Sequence, residues 1–330
     1  MDVATKTVRI DLALAQTDIG LATSGSEAYV INRFGSDFVD ILDLDDDLKL
    51  LSEFSVAIDD DRSSNPQALH VNSAGEAYIS LLGDDSLQVV DVTDPTQVDP
   101  LRKVDFSHFA DDDGLPEIGT FIGCGDTLFV GVERLDRNNG WAPVDSTFLV
   151  PITTGTDQFF DWNSDHDGSD GIELLGLGIK SVRADPASTS GHSVLVLSSG
   201  LERVDLAAGT SSWVISDQAF SDLDIGRFQL RSFDIHADGT LYFVIASADF
   251  SEHGIHRASL DGQGADLELV VGSLQTVTGQ IEVIGNEAWF PDTTIGASGL
   301  RIFDLSVDPV SEVGSALSTG LPPYGFLPLP

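Results

Sequence analysis

One cysteine, Cys124, occurs in the whole chain, so no internal disulfide can form. It lies between Gly123 and Gly125 with no Cys or His cluster beside it, and it reads as a structural or incidental thiol. Basic residues are scarce as well. There are 16 Lys and Arg, only 4 of them Lys, against 42 Asp and 12 Glu, for a net charge of -38. A field of that sign repels nucleic acid and anionic membrane surfaces, so no nucleic-acid partner is expected. No apolar run approaches the roughly 20 residues of a membrane helix, so no membrane span is expected. Sustained helical periodicity is missing too. The opening Met1-Asp2-Val3-Ala4 carries neither a basic region nor a signal core. His-Glu-x-x-His, a Gly-x-Ser-x-Gly elbow and a phosphate-cradling glycine loop are all lacking, which removes the usual signatures of zinc proteases, serine hydrolases and nucleotide-binding enzymes.

What the chain has is repetition. Six apolar cores recur: Ala28-Tyr29-Val30, Ala77-Tyr78-Ile79, Leu128-Phe129-Val130, Val194-Leu195-Val196, Leu241-Tyr242-Phe243 and Ala288-Trp289-Phe290. From first residue to first residue the spacings are 49, 51, 66, 47 and 47. Each core follows a small turn, such as Ala74-Gly75-Glu76, and before that turn lies another short apolar strand. A third strand ending near Asp follows, as in Val39–Leu44, Leu87–Val92, Leu201–Leu206 and Leu300–Leu305, and then a fourth. Four short strands per 40 to 50 residues is the blade pattern of a β-propeller. The expected fold is all-β, a single β-propeller domain over residues 1–330. A β-sandwich does not predict this period.

The two ends suggest how the ring closes. Pro322–Leu327 sit where the next inner strand begins, and Thr7–Leu12 where an outer strand belongs. Sharing one blade between them would remove exposed sheet edges and give seven blades, six full repeats plus one hybrid. Six blades remain the alternative, because the hybrid is short of strands.

Tyr29-Val30-Ile31-Asn32 resembles the signature of the YVTN-type β-propeller repeat family. Asn65-Pro66-Gln67 ahead of Ala77-Tyr78-Ile79 is similar to that family's repeat starts. Phe109–Glu117, Arg134–Asn139 and Thr319–Pro323 resemble a subgroup of bacterial surface lipoproteins with this fold. The resemblance implies a mostly seven-bladed, exported protein at the cell surface, in the periplasm or outside the cell. It implies no particular activity.

One stretch has metal-binding spacing. In Asp161–Glu173 acidic and amide side chains alternate up to Gly168, like the start of a calcium loop. Asn163, Asp165 and Asp167 occupy positions one, three and five, with Asp161 or Glu173 to complete the shell. A Glu at position twelve would close the pattern, and Leu174 stands there instead. Calcium is therefore the expected cofactor, against a plain solvated loop. The runs Asp45–Asp47, Asp59–Asp61 and Asp111–Asp113 read as solvated turns, since consecutive carboxylates cannot all face one ion. His253 and His256 stand three apart in what reads as a loop, a weak transition-metal pattern.

In a propeller the loops joining second and third strands share a face with the loops that lead into each new blade. Here that face carries Asn32, Arg33, Asn65, Gln67, Glu117, Arg134, Arg137, Asn138, Asn139 and Trp141. Arginine offers a rigid fork of donors to carboxylate or phosphate oxygens. Asn32, Arg33, Asn65, Glu117, Arg137 and Asn138 are thus candidate ligand-binding residues for a small anion or an acidic segment of another surface protein. The alternative is that these arginines brace neighbouring acidic loops. The function expected is a non-enzymatic binding module outside the cell. A metal-assisted hydrolase or lactonase working in the central funnel is the second reading.

Overall fold

The computed structural model describes residues 6, 18–58, 62–160, 171–188, 192–221, 229–247, 249–262, 264, 266–276, 278–320 and 323. Among these the regular structure is nearly all strand, with one short α-helix, α1 (Asp217–Ser221), and two single 3-10 turns, Ser107–Phe109 and Arg137–Asn139. It is a β-propeller built of antiparallel blades. Blade 1 is β1 (Ile19–Ser24), β2 (Glu27–Asn32), β3 (Phe38–Asp43) and β4 (Lys49–Ser55), paired in chain order. Blade 2 repeats this with β5 (Pro66–Val71), β6 (Glu76–Leu81), β7 (Ser86–Asp91) and β8 (Asp99–Asp105). Blade 3 has β9 (Ile118–Cys124), β10 (Thr127–Val132) and β13 (Phe148–Thr153), with β14 (Gln158–Phe159) and β15 (Ile172–Glu173) sharing its outer edge. Between β10 and β13 a two-stranded ribbon is inserted, β11 (Leu135–Asp136) and β12 (Ala142–Pro143).

Blade 4 is β16 (Ser181–Ala184), β17 (Ser193–Leu197), β18 (Leu201–Asp205) and β19 (Thr210–Ile215). Blade 5 is β20 (Leu230–Ile235), β21 (Thr240–Ala246), β22 (His253–Ser259) and β23 (Glu268–Leu274). Blade 6 is β24 (Glu282–Ile284), β25 (Glu287–Asp292), β26 (Gly299–Asp304) and β27 (Ser311–Glu312). All six repeated cores fall on second strands, as their spacing predicts. The strands expected at Thr7–Leu12 and Pro322–Leu327 for a seventh, shared blade fall almost wholly outside the described residues. Lys6, which is described, pairs with Glu287 of blade 6 at 2.6 Å.

The chain divides into two compact units, one of Asp11–Ile179 with Leu327–Pro330 that holds blades 1–3, the other of Met1–Ile10 with Lys180–Phe326 that holds blades 4–6. Each unit is held by apolar faces packed blade on blade. Strand residues alternate faces, so Ala77, Ile79 and Leu81 of β6 pack toward Tyr29, Ile31 and Ile41 of blade 1. Tyr78 between them turns the other way, to Leu128, Val130 and Val150 of blade 3. In the second unit Phe233, Leu241 and Phe243 pack on Leu195, Leu201 and Phe220, while Tyr242 and Val244 turn to Phe290 and Phe303. Full burial of one such side chain contributes about 1.5–3 kcal/mol.

The aspartate surplus has a local cause. Thirteen described aspartates accept a backbone N–H from the residue two places on, closing a turn with their own side chain. Asp43, Asp91, Asp205 and Asp304 do so at the end of a third strand, each within 2.8 to 2.9 Å. The Thr93 hydroxyl and amide hold Asp91 below the ordinary carboxylate range, and Ser306 does the same for Asp304.

Two expectations need correction. His253 and His256 are not in a loop but on β22, where residues three apart point to opposite faces and cannot share an ion. Outer strand four of blade 3 is not continuous either: β14 covers Ile152–Thr153 and β15 covers Phe148–Leu149 of the same edge. The acidic stretch that lengthens this repeat lies between the two halves.

Candidate binding site

The loop leading into blade 3 ends at Glu117, directly before β9, as Asn65 ends the loop before β5. Both have φ of 47°, the left-handed region. Asparagine tolerates it, whereas for glutamate the conformation stores strain of about 1–3 kcal/mol unless its surroundings hold it. Here they do. The Glu117 side chain is fully buried, accepting the Leu135 N–H at 2.9 Å and Arg137 Nε at 3.1 Å. Burial pushes its carboxyl up to about 7, against the pull of the Leu135 amide and Arg137.

Arg137 begins a short turn after β11 that Asp136 caps through the Asn138 N–H at 2.8 Å. Its guanidinium also donates to the Leu82 carbonyl at 2.7 Å and lies 5.2 Å over the Trp141 ring. Arg134 pairs with Asp145 at 2.9 Å. Asn138 itself is exposed. Asp111 and Asp113 come from the same leading loop as Glu117, and one carboxylate oxygen from each of the three lies within 4.8 Å of the others. Asp113 is raised by burial and by the neighbouring Asp111. Arg137 Nε stands 3.7 Å from Asp113.

Oxygens bound to one calcium at about 2.3–2.6 Å are separated by at most roughly 5 Å. The three carboxylates meet that limit, and they supply three of the six to eight oxygens required. Backbone carbonyls and water would have to add the rest. Arg137 competes with a cation for the same acids.

A second group forms around blade 1. Arg33 donates to Asp18 at 2.8 Å and to Gln67 at 2.9 Å. Gln67 donates to the Asn65 side chain at 2.8 Å, and Asn65 accepts the Phe34 N–H. Asp37 gathers Ser63 Oγ, the Ser64 N–H and the Asn65 N–H. Asn32 lies inside the blade, fully buried, donating to Asp40 at 3.0 Å.

The six candidates thus separate. Glu117 and Arg137 meet, with Asn138 alongside; Arg33 and Asn65 meet through Gln67; Asn32 turns inward. Of the calcium-loop candidates, Asp161, Asn163, Asp165 and Asp167 lie outside the described residues. Glu173 is exposed on β15 and accepts Ser146 Oγ at 2.6 Å.

Sequence reasoning missed the convergence of Asp111 and Asp113 on Glu117, which depends on how the loop folds back. It also missed an inner-strand cluster in the second unit, where Arg183 of β16 reaches Asp234 of β20 at 3.0 Å and Glu282 of β24 at 2.9 Å. Burial and the nearby Asp234 raise Glu282 to about 7 despite Arg183. The available signal was a lone charge inside each apolar strand: Val182-Arg183-Ala184, Phe233-Asp234-Ile235 and Ile281-Glu282-Val283.

No protein-family model and no curated protein matches the chain. Solved structures do share its fold. A putative 6-phosphogluconolactonase from Bacteroides fragilis aligns at 12% identity over 89% of this chain and 82% of its own, with a TM-score of 0.58. Virginiamycin B lyase from Staphylococcus aureus aligns at 14% identity over 89% and 83%, TM-score 0.52. The Dos1 propeller aligns at 11% over 88% and 68%, TM-score 0.50. At these identities the likeness extends to the propeller fold alone.

Proposed function

We propose that the protein is a non-catalytic binding propeller of the cell exterior, of the YVTN-repeat kind and akin to bacterial surface lipoproteins, and that it captures calcium. The observation that carries this reading is the convergence of Asp111, Asp113 and Glu117 to calcium-ligand spacing. The acidic stretch with Asp161, Asn163, Asp165, Asp167 and Glu173 is a second candidate loop for the same ion. A cation seated at Glu117 draws charge away from Arg137 and leaves its guanidinium available to a small anion or an acidic segment of a surface partner. The hydrolase or lactonase reading has one neighbour's name beside it, a putative 6-phosphogluconolactonase, and at 12% identity that likeness extends to the fold alone.

The test is calorimetric titration with calcium at pH 6.5 and pH 8. Ionisation of a carboxyl that titrates at about 7 must precede binding, so affinity rises across this range with proton release at the lower pH. Asp111→Asn with Asp113→Asn should remove one set of heats, and Asp165→Ala with Asp167→Ala a different set. Identical heats in wild type and both double variants would end the calcium proposal.

A further inference from the structure

Blades 2 and 5 solve one packing problem in two ways. In blade 2, Tyr78 of β6 lies in register with Val89 of β7, which lies in register with Arg102 of β8. The Arg102 guanidinium fills the space beneath the tyrosine. It donates to Glu76 at 2.7 Å, to both oxygens of Asp157 from the next blade's turn, and to the Tyr78 hydroxyl at 2.9 Å. The same hydroxyl donates to Asp157 at 2.8 Å and accepts the Gly155 N–H at 2.6 Å.

In blade 5 the equivalent register is Tyr242 of β21, Arg257 of β22 and Glu268 of β23. An acid stands where blade 2 has its arginine. Arg257 leans outward, to Glu268 and to Asp308 of the next blade's turn at 3.3 Å. What remains is a cavity of about 580 Å³, lined among others by Asp238, Tyr242, Arg257, Asp266, Glu268 and Leu305. Tyr242 is 4% exposed, and its hydroxyl has no hydrogen-bond partner among the described residues, whereas that of Tyr78 has three. The hydroxyl opens onto the cleft, where water or a ligand is left to bond it. The lining carries three carboxylates to one guanidinium: Arg257 serves Glu268 and Asp308, Asp238 pairs with His236 at 2.8 Å, and Asp266 accepts only the Ser259 N–H among the described residues, so acid is in excess around the cleft.

We propose that this cleft between blades 5 and 6 binds a guanidinium group, held as blade 2 holds Arg102, by carboxylates around its edge and the tyrosine hydroxyl. The group comes from a small alkylguanidine or from an arginine side chain of a partner protein. Leu305 at the wall suits the apolar stem that both carry. A planar fork of donors satisfies carboxylate pairs that a single ammonium point charge cannot.

Titration calorimetry of the full chain tests this at low ionic strength. The probes are agmatine, the blocked peptide acetyl-Gly-Arg-Gly-amide, and tetramethylammonium as a cation without donors. Saturable heats are expected for agmatine, the peptide or both, and none for tetramethylammonium; the tighter of the first two identifies the source. Tyr242→Phe should weaken binding roughly fivefold and Glu268→Gln about tenfold. Tyr242→Phe should also leave the melting midpoint unchanged, since its hydroxyl bonds nothing in the empty cleft. Heats for both guanidinium probes no larger than for tetramethylammonium would overturn the proposal. So would an unchanged affinity in both variants.

Discussion

Replacing Arg137 with alanine separates bracing from ligand capture, and the structure sets the size of the effect. The side chain makes two hydrogen bonds, to Glu117 at 3.1 Å and to the Leu82 carbonyl at 2.7 Å. Charge-assisted bonds of this kind are worth about 1.5–3 kcal/mol each before screening. The guanidinium is 27% exposed, which lowers the pair to about 2 kcal/mol in all. The cost then depends on pH. Glu117 titrates at about 7 in the folded protein, above its ordinary 4.5, so its contribution to stability is full below 4.5 and is lost as pH rises through 7. In the wild type that loss ends once the carboxylate ionises beside Arg137. Without the arginine the folded carboxyl titrates still higher, and the loss continues, widening the gap by up to about 1.4 kcal/mol per pH unit. Urea denaturation at pH 6 and pH 8.5 should therefore give a difference near 2 kcal/mol at the lower pH and a clearly larger one at the higher. A difference below about 0.5 kcal/mol, or one equal at both pH values, would refute the argument that Arg137 neutralises a buried acid.

Two further outcomes follow from features outside that site. A net charge of -38 makes the compact state self-repelling, so the thermal midpoint should rise between 0.05 and 1 M sodium chloride; a flat or falling midpoint would mean the acids are compensated locally. Tyr78→Phe should cost about 1.5–3 kcal/mol in urea denaturation, because its hydroxyl bonds Asp157, Gly155 and Arg102. Equal stability of Tyr78→Phe and Tyr242→Phe would show that the blade 2 network contributes nothing.

The blade plan was legible because it is written locally. Second strands such as Glu76–Leu81 combine a short continuous apolar run, buried on both faces, with a glycine turn before them and an aspartate-closed turn after the next strand, and each signal spans only a few residues. The site was less legible. Glu117 and Arg137 were both visible as loop residues of one face, yet their pairing depends on the ribbon β11–β12, which two-residue strands do not announce in a sequence. Asn32 follows an apolar strand and looks like a loop residue; its position as the last residue of β2 turns it into the blade toward Asp40. Asp111–Asp113 looked like a solvated turn because neighbouring side chains diverge. The fold separates first from third and sends both toward Glu117. Those are contacts between segments, and no short-range pattern encodes them.

The turn-closing aspartates have an implication for how this surface can be changed. Their fold-making atom is one side-chain oxygen, and asparagine keeps that oxygen while discarding the charge. Positions such as Asp91, Asp205 and Asp304 can thus be neutralised one by one with their turns intact, whereas glutamate would keep the charge and lose the reach. Acidity and architecture share residues here but not atoms. A blade copied within such a chain brings its turns with it, and its negative charge arrives as a by-product of closing them.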